Sequence, residues 1–221
     1  DALATPKPIS GSRFVYFALH YEPEKTTNPD GGDFTDQFIA ICALRGFLPS
    51  DITIVVKEHP SQFYPVMKGY IGRSPEFYEA LSKIENVVIV PQDNSSSELM
   101  KESEFVATIT GTAAIEEAIK GRKAMIFGKY PWYLDCPNTI KYSPDLSYSE
   151  FVETPVVEGD AVRDWLYDRM QRFTVFGINN LTTEYLFTDF LNSRAENEQV
   201  AGLGHIVSKW LAAVNLRPKD C

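Results

Sequence analysis

The feature that most constrains this chain is an alternation. Five short runs of β-branched, aliphatic and aromatic residues, Phe14–Leu19, Ile52–Lys57, Val87–Pro91, Phe105–Ile109 and Ala124–Phe127, are separated by segments with helical spacing. The runs are apolar throughout instead of alternating with polar residues, which is the pattern of strands buried on both faces. The segments between them, Phe34–Gly46, Pro75–Ile84, Ser97–Glu102 and Ala113–Lys120, are each opened or closed by Ser, Thr, Asp, Pro or Gly, the residues that start and stop helices. Strands joined by helical crossovers run parallel and need cover on each side. The predicted fold is therefore α/β, with a doubly wound parallel sheet.

The flanks read differently. Residues 1–12 (DALATPKPISGS) carry Pro6, Pro8 and Gly11 without periodicity and read as a linker or tail, so a single Rossmann-like domain is expected over 13–221. Beyond Pro131 the segment Tyr142–Pro155 reads as loop. Asp160–Phe173, Thr182–Leu191 and Glu196–Val214 read as helices, a C-terminal helical tail beginning at about residue 156. Val207, Trp210, Leu211 and Val214 share one helical face, which this reading packs back on the sheet.

Charge narrows the ligands. With 30 acidic and 21 basic residues the net charge is −9, a field that repels nucleic acid and anionic lipid at long range. No nucleic-acid partner is expected, and an anionic ligand has to be held by a local pocket. The longest apolar runs, such as Ile52–Val56 and Val87–Val90, fall far short of the roughly 18 residues of a membrane-spanning helix, and no signal-peptide pattern opens the chain. The expected location is cytoplasmic, with any attachment to the inner membrane face made through other parts of a longer protein. The start at Asp1 leads to the expectation that this is a piece of such a protein. Cys42, Cys136 and Cys221 form no CxxC pair, and His20, His59 and His205 are scattered, so neither a disulfide scaffold nor a metal site is expected.

Ligands of open α/β sheets bind beyond the carboxyl ends of the strands. Three places there carry chemistry. In Lys57-Glu58-His59-Pro60, Lys57 and His59 supply a point charge and a ring N–H suited to a phosphate, and Pro60 fixes the turn that aims His59. Thr110-Gly111-Thr112 turns from strand into helix through small residues, presenting backbone N–H groups as a phosphate seat, with Glu116 one turn on and in reach of ribose hydroxyls. An ordinary capped helix, with Thr112 as N-cap, explains the same residues equally well. In His20-Tyr21-Glu22, His20 and Glu22 have the groups for acid–base work or for gripping a sugar, although a plain loop is the stronger reading. Asn94-Ser95-Ser96-Ser97 reads as an N-cap cluster whose hydroxyls, Ser95 and Ser96 among them, lie near the same edge. Tyr130-Pro131-Trp132-Tyr133 reads as cover for the sheet end. Gly31-Gly32 lacks the GxGxxG spacing and no GxxxxGK[ST] loop occurs, which disfavours nicotinamide-type and P-loop nucleotide binding.

Taken in order, VYFALHYEPEKTTNPDGG at Val15–Gly32, DQFIAI at Asp36–Ile41, VKEHP at Val56–Pro60 and TGTAAIEEAIKGRKAMIFG at Thr110–Gly128 resemble the capsular polysaccharide biosynthesis proteins, the group that contains the bacterial 3-deoxy-manno-octulosonic acid transferases. The resemblance covers roughly residues 13–137 and is specific in the two central motifs. It implies the donor-binding half of a GT-B glycosyltransferase acting in capsule or surface-glycan synthesis. Its substrate would be a nucleotide-sugar, with a lean towards CMP-linked acidic sugars, and no cofactor or metal is implied. The resemblance also implies that His59-Pro60 meets the donor phosphate, that Gly111-Thr112 is the phosphate turn and that Glu116 grips the ribose. It selects Glu116 because Gly121 follows five residues later, as in the family. The connection Gly121-Arg122-Lys123 departs from the family's usual Gly-Lys-Pro. The glycan acceptor would belong to a missing N-terminal domain. Two other readings stay open: a nucleotide-sugar epimerase or hydrolase of the same architecture, and a non-catalytic nucleotide-sugar-binding or docking module.

Overall fold

A six-stranded sheet with every adjacent pair parallel organises the computed structural model, which describes residues 11–173 (side chains to 170). The strands are β1 (Phe14–Ala18), β2 (Thr53–Lys57), β3 (Val87–Ile89), β4 (Val106–Thr108), β5 (Ala124–Ile126) and β6 (Thr139–Lys141), in spatial order β3-β2-β1-β4-β5-β6. This is the Rossmann order. The helices are α1 (Gln37–Phe47), α2 (Pro75–Ser82), α3 (Ser96–Glu102), α4 (Ala113–Ile119), α5 (Tyr148–Glu153) and α6 (Gly159–Phe173).

The strands form where they do because both faces are covered. Val15, Phe17, Ile54, Val56, Ala107 and Met125 are buried in the larger core, with α1, α2 and the aromatic residues of α5 packed on that side. Tyr16, Val55 and Val106 are buried on the opposite face with Leu99 and Met100 of α3, and Ala113 of α4 packs against them. Each fully buried large side chain contributes about 1.5–3 kcal/mol. The chain divides into a unit that ends at Arg163 and holds the whole sheet, and a second unit of which the part of α6 from Asp164 onward lies among the described residues.

The five expected strands and the four expected helices between them are present, with ends shifted by one to three residues. Helix α1 starts three residues later than its apolar pattern. Gly32–Phe34 forms a short 3-10 turn, and the Asp36 carboxylate caps the helix by accepting from the Phe38 N–H at 2.9 Å. Two elements correct the sequence reading. Strand β6 was not foreseen: three residues at a sheet edge, only partly buried, give no run to detect. The segment Tyr142–Pro155 is not all loop, since it contains α5, begun by a capping box between Ser147 and Glu150. With only Phe151 buried, that helix has no apolar stripe. The expected helices Thr182–Leu191 and Glu196–Val214 lie outside the described residues.

Candidate functional site

In this strand order the chain winds in opposite directions on either side of the β1–β4 pair, so the loops after those two strands diverge and leave a crevice. All three chemistry-bearing stretches come to this carboxyl edge. Lys57 is in register with Ala18, and Phe17 with Ala107, so β1 stands between the Lys57-His59 stretch and the Gly111 stretch. Two strand spacings separate them by roughly 10 Å. They are on one edge of the sheet, close enough for a nucleotide-sized ligand to meet both.

The centre of the edge is His20, 7% exposed. The Thr110 N–H donates to its Nε2 at 3.1 Å, so that nitrogen carries a lone pair and the proton sits on Nδ1. From there it is donated to Thr26 Oγ1 at 3.2 Å, and the Thr26 hydroxyl donates to Glu24 at 2.8 Å. Thr108 Oγ1 lies 3.1 Å from Nε2, and the Thr110 hydroxyl donates to the Thr26 carbonyl at 2.6 Å. His20 and Thr110, both read as site residues, therefore spend their polar groups on each other and on the β1 loop. They brace the crevice. Glu22 accepts from Gln37 Nε2, while the same amide clamps the His20 backbone, accepting from its N–H at 2.7 Å and donating to its carbonyl.

Burial, then the positive charges of His59 and Arg73, push the His20 pKa from 6.5 down to about 4. The unfolded chain takes up this proton more readily than the folded one. Stability is full above the unfolded pKa and falls as pH drops from about 6.5 towards 4, at ~1.4 kcal/mol per pH unit. At about pH 5 the loss is ~2 kcal/mol. Urea unfolding at neutral pH and near pH 5 reads this directly, and a His20→Gln variant with an unchanged slope would refute the assignment.

The face covered by α3 and α4 holds a different set. Lys57 is 5% exposed, its Nζ donates to Ser96 Oγ at 3.0 Å, and no carboxylate among the described residues pairs with it. Burial lowers its pKa. Tyr16 OH donates to the same Ser96 oxygen at 3.4 Å. Its pKa is raised, first by burial and also by the charge of Glu116. Across the crevice Thr112 occupies the N-cap position of α4, but its side chain makes no capping bond. Among the described residues the N–H groups of Gly111, Thr112 and Ala113 donate to no protein acceptor. Helix α4 has only seven residues, so these amide donors matter more than its dipole. The Tyr133 hydroxyl holds the turn from behind by donating to the Gly111 carbonyl at 2.8 Å.

His59 is exposed and is the N-cap of the 3-10 turn Pro60–Phe63, with Nδ1 accepting from the Ser61 N–H at 3.1 Å. That bond leaves Nε2–H as the free donor. Pro60 starts the turn. Ser95 caps α3, accepting from the Glu98 N–H at 3.3 Å, whereas Ser96 reaches Lys57. Of the two adjacent glutamates, Glu117 is fully buried beside Lys120 and Arg122, and Glu116 is exposed.

Sequence reasoning missed Arg73. Its guanidinium bonds the buried Glu58 carboxylate at 2.9 Å and the His20 carbonyl at 3.0 Å, tying the segment before α2 to both strand ends. The only sequence signal was an Arg immediately before a Ser-Pro helix start. Two cavities flank this residue. One, of about 490 Å³, lies between the ends of β2 and β3 under residues 60–72 and α2; the other, of about 450 Å³, is lined by Glu22, Asp36 and Gln37. Neither includes the Gly111 turn. Among the described residues no group of three or more His, Cys, Asp or Glu is arranged to hold a metal ion, and no helix is long and apolar enough to cross a membrane.

The sheet order and the crevice at its reversal define a Rossmann-like α/β domain. Its residues 41–135 match the family described as capsule polysaccharide biosynthesis protein. The match starts at Ile41, after the Val15–Gly32 run, and includes the His59-Pro60 and Gly111–Glu116 stretches. No curated protein matches the chain. Among solved structures it is similar to the beta Kdo 2,7 transferase of Thermosulfurimonas dismutans KpsC, at 15% identity and a TM-score of 0.47, over 73% of this chain and 55% of that one. It is also similar to the beta Kdo 2,4 transferase of the same protein, at 18% identity and a TM-score of 0.45, over 63% and 42% of the two chains. A third is the S. aureus MnaA–UDP structure, at 18% identity and a TM-score of 0.32, over 52% and 28%. The chain thus spans about half the length of the first of these.

Proposed function

We propose that this domain binds the nucleotide-sugar donor of a glycosyltransferase that builds capsular or other surface glycan, as one half of a GT-B enzyme. The observation that carries the reading is Lys57, a nearly buried ammonium that among the described residues has no counter-ion, facing across β1 a turn with three backbone N–H groups that engage none of them. A buried cation calls for an anion, and a donor phosphate supplies one. Lys57 and the amides of Gly111–Ala113 hold the phosphate from two sides, with His59 Nε2–H as a further donor. Glu116 accepts from the ribose hydroxyls.

When the bond between the anomeric carbon and the phosphate oxygen breaks, its electron pair stays on the phosphate. The added charge grows against these preorganised donors, an effect worth several kcal/mol in other enzymes. The catalytic base and the reacting end of the acceptor belong to the other half of the enzyme. The family favours a CMP-linked acidic sugar as donor, and the reaction belongs in the cytoplasm, where nucleotide-sugars are made.

Calorimetric titration with CMP, UDP and GDP tests the proposal. One nucleotide is expected to bind saturably, and Lys57→Met to weaken it by about 10- to 100-fold, the loss of one charge-assisted hydrogen bond. Methionine keeps the volume and removes the buried charge, so the fold should survive. Absence of saturable binding by all three nucleotides, or binding indifferent to Lys57→Met, sinks the proposal.

A further inference from the structure

The cavity between the ends of β2 and β3 lies on the α2 side of the sheet, away from α3 and α4, and its lining shares no residue with the phosphate seat. We propose that it is a saccharide site that takes neutral pyranose units of the acceptor glycan; this rests on the glycosyltransferase reading above. Its volume of about 490 Å³ is within the range of small-molecule sites and accommodates a disaccharide.

Three properties of the lining point to a sugar. First, the walls are aromatic: Tyr78 is half-buried, while Phe63 and Tyr70 stand 58% and 75% exposed. Flat exposed rings offer faces to the C–H side of a pyranose, and they are costly to leave in water without a purpose. Second, the unused hydrogen-bonding positions are of both kinds. The Arg73 side chain is 5% exposed; its Nε and Nη2 are engaged, and Nη1 has no partner among the described residues. Gln92 donates through Nε2 to the Glu58 carbonyl, leaving Oε1 as an acceptor. Glu79 adds a carboxylate with no ion pair among the described residues. A phosphate wants donors alone and an apolar ligand wants neither, whereas sugar hydroxyls donate and accept at once.

Third, the charge selects against acids. The Glu58 carboxylate is saturated by the His59 N–H, by Arg73 and by the Tyr78 hydroxyl, so the Glu58–Arg73 pair is neutral and Glu79 tips the lining negative. With the chain itself at −9, an acidic saccharide is repelled and a neutral one is not.

The test uses the 221-residue chain, with cellobiose, lactose and chitobiose as neutral probes and 3′-sialyllactose as the acidic one, read by saturation-transfer NMR and calorimetry. At least one neutral disaccharide is expected to bind saturably in the millimolar range, and Tyr70→Ala and Gln92→Ala each to weaken it about tenfold. Nucleotide affinity should not change. The inference is overturned if no neutral disaccharide saturates, if sialyllactose binds more tightly than lactose, or if Tyr70→Ala leaves saccharide binding intact. Saccharide binding retained in a chain that binds no nucleotide would support this site and sink the donor reading; the reverse pattern would sink this site alone.

Discussion

Replacing Arg73 by leucine is expected to cost about 3–5 kcal/mol of folding stability, because it strands a buried charge. Glu58 is 4% exposed and Arg73 5%, and they meet at 2.9 Å with a second contact at 3.3 Å. Without the guanidinium the carboxylate retains only the Tyr78 hydroxyl and the His59 N–H. The His20 carbonyl loses a donor as well, and Phe77 loses the cation that lies 4.3 Å above its ring. The double variant Glu58→Gln/Arg73→Leu removes both charges and should recover most of the loss. Chemical denaturation of the parent, the single and the double variants checks this. A single variant within about 1 kcal/mol of the parent would show that the pair is not holding the β1 and β2 ends together.

Gly111→Ala is expected to lower nucleotide affinity by about 100-fold, as donors displaced from a bound anion forfeit most of their hydrogen bonding. A β-carbon there would lie 2.6 Å from Thr108 Oγ1 and 3.4 Å from His20 Nε2. Thr108 cannot swing away freely, since its hydroxyl sits between the His20 ring and the Ala18 carbonyl. The turn has to move instead, carrying the Gly111–Ala113 amides with it. Overpacking of this kind also costs about 1–3 kcal/mol of stability, so the titration belongs well below the melting temperature. Gly46→Ala in α1, where an added β-carbon meets nothing within 4 Å, is the control and should bind normally. Equal affinity of Gly111→Ala and the parent would show that these amides do not touch the ligand.

The sheet was legible because its information is local. Ile54, Val55 and Val56 are wholly buried, and such runs declare themselves without reference to the rest of the chain. The placement of the candidate phosphate residues at one sheet edge was legible for a related reason: Lys57 ends a readable strand, and His59 and Gly111 follow one. What could not be read was mutual placement. Nothing near His20 in sequence announces that its Nε2 is claimed by the Thr110 N–H. Arg73 and Gln62 were invisible for the same reason: the Gln62 amide meets the Glu22 backbone, 40 residues away, through both of its ends. Tyr133 shows the limit most clearly. The aromatic run was read as cover, but of its aromatic rings only Tyr133 is buried, while Tyr130 and Trp132 stand more than half exposed, and the Tyr133 hydroxyl also holds the Gly111 turn.

The strand order also sets a timetable. The central strand β1 is made first and gains its β2 neighbour early, but its other edge waits for β4, and the His20–Thr110 contact closes only across 90 residues of sequence. During synthesis on the ribosome, β1, β2 and β3 can dock long before the crevice has a second wall. The crevice therefore gains its second wall only after half of the sheet is made, and a ribosome-stalled chain ending before β4 would hold a half-sheet with a bare apolar flank, the kind of surface chaperones capture.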